Sequence, residues 1–95
     1  MVRLHIRVTD AMLDTRDEGS DYEGIGAARK AAIEAATDIA ADAIKEGAAV
    51  AVVEARVEET DGTVRARVVI SMSATPLKIV AQAGAPLNKF AVVPS

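Results

Sequence analysis

The sequence predicts an α+β domain in which one long helix packs on a small antiparallel sheet, in the order β-α-β-β. Residues 24–47 carry apolar side chains at steps of three and four, which is typical of one face of a helix. Residues 2–9 alternate apolar and polar side chains, as a half-buried strand does. Two further alternating stretches, 49–59 and 63–73, flank an Asp-Gly pair, which indicates a hairpin.

The composition limits the size and the chemistry of this domain. The chain has 95 residues and is 51% hydrophobic, but it has one Phe, one Tyr and no Trp. A core of Ala and Val is thin, and small domains of this kind often gain stability by forming oligomers. The net charge of −3 gives no general argument for nucleic acid or an anionic membrane.

Cysteine content and hydropathy bear on the compartment. The absence of Cys excludes disulfides, thiolate metal sites and a cysteine nucleophile, and it is compatible with a reducing compartment. The first residues alternate instead of forming an apolar block, and no apolar run approaches the length of a membrane span. We therefore expect a cytoplasmic protein.

The first strand should present two different faces. One side carries Val2, Leu4, Ile6 and Val8, and the other carries Arg3, His5, Arg7 and Thr9. His5 is the only histidine, and no nucleophile or metal-ligand spacing surrounds it in the sequence. We expect it to be a solvent-exposed residue on the polar side.

An acidic connection, residues 10–23, should form turns, with Met12 and Leu13 as a short strand or plug beneath it. Its carboxylates raise the question of a Ca²⁺ site, formed by Asp14, Asp17, Glu18 and Asp21. Their spacing does not fit an EF-hand loop, so a solvated loop is favoured and cation binding stays open. The Gly24-x-Gly26 pair lacks the rest of a phosphate-binding fingerprint, and no cofactor is expected.

The helix should end at Gly47, a natural residue for the left-handed position after a helix. Arg29 lies within the apolar sector of the helical wheel, between Ile25 and Ala32. A buried arginine must pair or extend to water, so we expect Arg29 to tie the acidic connection to the helix. The exposed side should carry an acidic line, Glu34, Asp38, Asp42 and Glu46.

The hairpin pattern predicts its own register. A two-residue type I′ turn at Asp61-Gly62 sets the pairing of the strands on either side of it. The apolar pairs are then Val57 with Ala66, Ala55 with Val68, Val53 with Ile70, and Ala51 with Met72. The other face pairs Glu58 with Arg65, Arg56 with Arg67, and Glu54 with Val69. Because a right-handed crossover joins parallel strands, the first strand should run parallel to the second, with the third between them.

Residues 1–73 thus form the predicted domain, and residues 74–95 a C-terminal extension. Pro76, Gly84, Pro86 and Pro94 divide the extension into short pieces, one of which suits an extra strand. The extension should pack either on the sheet edge or on a neighbouring subunit.

The segment leading into the helix resembles a small bacterial family whose function is unassigned. Members of that family typically read Glu-Gly-x-Glu-Leu-Pro-Asp-Leu-x-Ala-Ala-Arg, followed by an Ala-rich helix and a strand–turn–strand. Matches are Glu18, Gly19, Ala27, Ala28 and Arg29, with Asp21, Tyr22 and Ile25 similar in type. Glu23 and Gly24 depart from the usual Pro-Asp. The resemblance implies a fold for residues 2–73 and no activity.

The strand order also resembles that of dodecins, which stack flavin on a tryptophan that this chain lacks, and of HicB-like antitoxins.

Charge segregation is the remaining functional signal. The sheet face opposite the helix should carry Arg3, His5, Arg7, Arg56, Arg65 and Arg67, which form a candidate interaction surface.

We expect a non-enzymatic interaction module that self-associates. The alternative is a nucleic-acid-binding or antitoxin-like regulator that uses the arginines, which the acidic pI and the scarcity of aromatic residues disfavour. In a self-associating ring, this face of one copy would meet the acidic helix line of the next.

Overall fold

The computed structural model describes residues 1–74, so the predictions for residues 75–95 lie outside the described residues. It confirms the α+β class, with one helix on a five-stranded antiparallel sheet. The elements are β1 (Val2–Thr9), β2 (Asp14–Arg16), β3 (Ser20–Tyr22), α1 (Ile25–Lys45), β4 (Val50–Glu58) and β5 (Val64–Ser73). The sheet order is β2-β1-β4-β5, and β3 also pairs with β1.

The core lies between α1 and one face of the sheet. The fully buried line on α1 consists of Ala28, Ala32, Ala36 and Ala40. The sheet contributes Leu4, Ile6, Val8, Ala51, Val53, Ala55, Val57 and Val68. Because alanine is small, a helix that buries this line can lie close to the strands. The opposite sheet face is called the outer face below.

The predicted orientation of β1 is wrong. β1 lies directly beside β4 and runs antiparallel to it, with Ile6 opposite Val57 and Val8 opposite Ala55. The cause is the acidic connection, which forms two short strands and not only turns. β2 and β3 run back along the far edge of β1, so α1 starts beside the beginning of β1 and delivers the chain to β4 in the reversed direction. Met12 is 94% exposed and forms no plug.

The two ends of α1 differ in how they are capped. Gly24 precedes the helix without a side-chain hydrogen bond. At the other end Gly47 has φ +112°, as predicted for its position. The Gly47 N–H donates to the Ile44 carbonyl and the Ala48 N–H donates to the Ala43 carbonyl, both at 3.0 Å. These are the two bonds of a Schellman motif, so the C-terminal end is closed by the backbone.

The β4–β5 register is confirmed from Val57 to Ala51, but the turn is not the predicted one. The Gly62 N–H donates to the Glu59 carbonyl at 2.8 Å, and only Gly62 has a positive φ in this turn. A type I turn followed by a left-handed glycine makes a three-residue loop. The Thr63 N–H donates to the Asp61 carboxylate and lowers the pKa of that carboxyl.

A β-bulge restores the register after this longer loop. Glu58 pairs with Val64 and Val57 with Ala66, which leaves Arg65 as the extra residue. The predicted pairing of Glu58 with Arg65 is therefore wrong. The one-residue change in the loop and the one-residue bulge cancel, so all four apolar pairs meet as predicted.

Candidate interaction surface

Four of the five arginines predicted for the outer face lie beside carboxylates of the same chain. Arg7 holds Asp14 through two hydrogen bonds of 2.9 Å. These bonds raise the pKa of Arg7 and lower the pKa of Asp14. Asp14 reaches this position because β2 places it opposite Thr9, two residues beyond Arg7 on the same side of β1.

The β4–β5 part of the face repeats this pattern. The Glu54 carboxylate lies 2.8 Å from Arg67 Nε and 3.8 Å from Arg56 Nε. Both contacts are ion pairs, and Arg56 Nε is buried with no hydrogen-bond partner within residues 1–74. Arg65, at the bulge, pairs with Glu59. The predicted basic face is thus close to neutral.

Arg16 belongs to this surface, although no pattern in the sequence placed it there. Its Nε lies 3.0 Å from the Glu58 carboxylate, whose side chain is only 5% exposed. Its Nη2 donates to the main-chain carbonyls of Glu59 and Thr60. Arg16 therefore compensates a buried charge and holds the hairpin loop against β2. The three-residue length of β2 is too short for alternation to reveal such a side chain.

The prediction that His5 is exposed is wrong, because the whole residue is 7% exposed. The acidic connection crosses over the outer face at this point. His5 Nδ1 lies 3.2 Å from the Asp17 carbonyl, and Nε2 lies 3.3 Å from Thr60 Oγ1. A carbonyl only accepts, so Nδ1 carries the proton, and in the neutral ring Nε2 accepts from the Thr60 hydroxyl. His5 thereby joins β1, the acidic connection and the hairpin loop.

The contact between Thr60 and His5 places a hydroxyl beside an imidazole, which is the first requirement of a nucleophile–base pair. The Asp17 carboxylate is the group that would orient the base, but its contacts lie elsewhere. It is 3.9 Å from Nδ1 and accepts hydrogen bonds from the main-chain N–H groups of Ile6 and Gly19. No cluster of three or more potential metal-ligating side chains occurs in the part of the chain that the structure describes. The arrangement is therefore suited to joining segments.

Arg3 makes the contact with the acidic connection that was expected of Arg29. Arg3 Nη2 donates to the Glu18 carbonyl at 2.9 Å. Arg29 is exposed, and within residues 1–74 it makes no hydrogen bond or ion pair to Asp17, Glu18 or Asp21. The buried line of α1 follows steps of four, and each step rotates it by about 40° around the helix. At the start of α1 the buried direction is that of Ala28, which is about 100° from that of Arg29. The helical wheel averages the apolar direction over the whole helix, so it does not show this rotation and placed Arg29 within the apolar sector.

A second surface lies where β4 and β5 extend beyond β1. Val50, Val52 and Val69 are 60%, 54% and 57% exposed and share the outer face; we call them the valine patch. Val52 lies opposite Ser71, so Val69 is its diagonal neighbour. β5 pairs with β4 on one side, and within residues 1–74 no strand lies on its other side. The backbone there is called the β5 edge.

An apolar groove of about 380 Å³ also opens between α1 and β2. Its apolar lining residues are Ile6, Val8, Ala35 and Ile39, and its polar ones are Thr15, Arg16 and Asp17. The side chains of Arg16 and Asp17 are engaged in the contacts described above, so neither is a spare charged group for a ligand in the groove.

Comparison of the chain with family models found no match, and comparisons with curated proteins and with solved structures also found none. The resemblance carried by residues 18–29 therefore stays a prediction. Within residues 1–74, α1 is not long and apolar enough to cross a membrane.

Proposed function

We propose that this chain is a non-enzymatic interaction module that works as a homo-oligomer and uses the β4–β5 end of its sheet as the contact surface. The observation that carries the proposal is the β5 edge together with the valine patch. The valine patch has three side chains that are more than half exposed, and β5 is an edge strand of ten residues. Proteins usually cover both features. The lack of cysteine fits a reducing compartment, and we include a bacterial cytoplasmic location in the proposal.

The nucleic-acid alternative has less support. A nucleic-acid surface needs cations that are available to phosphates. Arg7, Arg65 and Arg67 instead each have a carboxylate partner within the chain. Binding would require these pairs to open, while the chain as a whole carries a net charge of −3.

The mass of the full chain in solution tests the proposal. Sedimentation equilibrium at micromolar concentration should give a multiple of the 9.9 kDa chain mass. A chain that remains monomeric across that range would contradict self-association. A gel-shift measurement at low salt is the companion experiment, and retardation that is lost in Arg67→Gln would favour the nucleic-acid alternative.

A further inference from the structure

We propose that two copies of the chain join by antiparallel pairing of their β5 edges, with the two-fold axis at Val69. This proposal rests on the proposed function, because it specifies how the homo-oligomer forms. The product would be a continuous sheet across both copies with one helix from each on the same face. The backbone, the register and the exposed side chains each contribute to the argument.

The backbone geometry shows which groups point out of the β5 edge. The Ala74 N–H donates to the Ala49 carbonyl at 3.0 Å, so Ala74 directs its hydrogen-bonding groups towards β4. Antiparallel ladders alternate, so Met72, Ile70 and Val68 do the same. The groups of Arg67, Val69 and Ser71 must then point outward. Within residues 1–74 these outward groups meet no other strand.

The sequence of β5 is complementary to itself when the second copy is reversed about Val69. Arg67 then lies opposite Ser71 of the second copy, and Arg65 opposite Ser73. On the inner side Val68 meets Ile70, so apolar side chains face apolar ones. The outward groups of Val69, Arg67 and Ser71 would form about six new hydrogen bonds across the axis.

Neighbouring registers fit less well. An axis at Arg67 places two arginines directly opposite each other, and like charges in that position are destabilising. An axis at Val68 places Arg67 against Val69 of the second copy. An axis at Ser71 places Val69 against Ser73 and carries the pairing past the end of β5. Only the Val69 axis joins the valines and pairs the whole strand.

The side chains beside the edge favour a second copy as the occupant. Val69 would contact its own counterpart, with Val52 of each copy as a diagonal neighbour, so that the contact covers the centre of the valine patch. Arg67 and Arg65 already lie against Glu54 and Glu59. Two edges can therefore approach without bringing unpaired positive charges together.

A cross-linking experiment on the full chain tests this geometry, because the protein has no cysteine of its own. Residues in a hydrogen-bonded antiparallel pair have Cα atoms about 5.5 Å apart, which suits a disulfide. Val69→Cys should become a covalent dimer under mild oxidation. Val50→Cys is the matched control, since Val50 is equally exposed on the same face but lies on β4, away from the axis.

A mixed experiment tests the register. Arg67→Cys and Ser71→Cys should each stay largely uncross-linked alone and should form a hetero-dimer when mixed. Equal cross-linking of Val69→Cys and Val50→Cys would overturn the proposal. So would an oligomeric mass without rapid cross-linking of Val69→Cys, although the proposed function would then stand. A monomeric mass would overturn both.

Discussion

Glu58 is a nearly buried carboxylate, so the folding stability of the chain should depend on its arginine partner. Its side chain is 5% exposed, while that of Arg16 is 32% exposed, so removing Arg16 leaves a buried charge uncompensated. Arg16→Met should lower the free energy of unfolding by about 1–3 kcal/mol, as measured by urea denaturation. The double variant Arg16→Met with Glu58→Met should recover most of this loss, because both partners become apolar.

The exposed ion pair of Arg65 with Glu59 is the control for this prediction. Arg65→Met should change the free energy of unfolding by about 0–1 kcal/mol, since both side chains of that pair remain in contact with water. A double variant at residues 16 and 58 that is no more stable than Arg16→Met alone would contradict the assigned role of Arg16.

The pairing of Asp14 with Arg7 predicts a pH dependence. Hydrogen bonds from Arg7 lower the pKa of Asp14 in the folded state. The ionised carboxylate therefore contributes stability above its unfolded pKa of about 3.9, and this contribution is lost as the pH falls through the lower folded pKa. The melting temperature of Asp14→Asn should lie below that of the wild type at neutral pH, and the two should converge in acid.

Arg7→Gln provides the matched background for the pH measurement. Without the guanidinium, Asp14→Asn should have a much smaller effect on the melting temperature at neutral pH. A difference of the same size in both backgrounds would show that Asp14 acts through another group.

At the scale of the elements, two glycines in the same conformation test the path of the acidic connection. Gly19 and Gly62 both have φ +94°, where an alanine costs about 1–2 kcal/mol. A Cβ at Gly62 meets no atom within 4 Å, whereas one at Gly19 would lie 2.8 Å from His5 Cε1. Gly19→Ala should therefore lower the free energy of unfolding more than Gly62→Ala does.

A third glycine provides the control of opposite sign. Gly26 lies in the first turn of α1, and a Cβ there would meet no atom within 4 Å. Gly26→Ala should raise the free energy of unfolding by about 0.5–1 kcal/mol, because alanine loses less backbone entropy. Equal losses for the alanine variants at residues 19 and 62 would mean that the connection does not press on His5.

Elements with a long repeating pattern were predictable from sequence. The helix has 21 residues, so its buried alanine line follows from spacing and its end from the glycine at residue 47, although the sector averaged over the helix misplaced Arg29. The hairpin pairing followed from alternation over nine and ten residues, which fixes the face even where the turn differs. β2 and β3 have three residues each, too few for a period, and missing them reversed the expected direction of β1.

The candidate surface was predictable to the same limit. Alternation placed the arginines of β1, β4 and β5 on the outer face. Their partners Asp14 and Glu59 lie in or beside irregular segments, where only the folded chain determines proximity. The burial of His5 likewise depends on a segment twelve residues away that crosses above it.

For the molecule as a whole, salt distinguishes two modes of association. In a head-to-tail ring the arginines of one copy would meet Glu34 and Asp38 of the next, and such exposed attractions weaken as the Debye length falls from about 10 Å at 0.1 M salt to about 3 Å at 1 M. Pairing of β5 edges depends on backbone hydrogen bonds and valine contacts. We therefore expect the sedimentation mass to be unchanged at high salt.

Two charge reversals make the distinction at fixed salt. Glu34→Lys with Asp38→Lys changes the helix side that a ring requires, and β5 pairing should leave the mass unchanged. Arg65→Glu with Arg67→Glu should leave it largely unchanged at high salt, where repulsion from Glu54 and Glu59 is screened, because serines of the second copy face these positions in the Val69 register. Each broken exposed pair costs only about 0–1 kcal/mol of folding stability. A mass that falls in the helix variant, or on adding salt to the wild type, would favour the ring, in which attraction between copies must overcome the pairing that already neutralises the outer face.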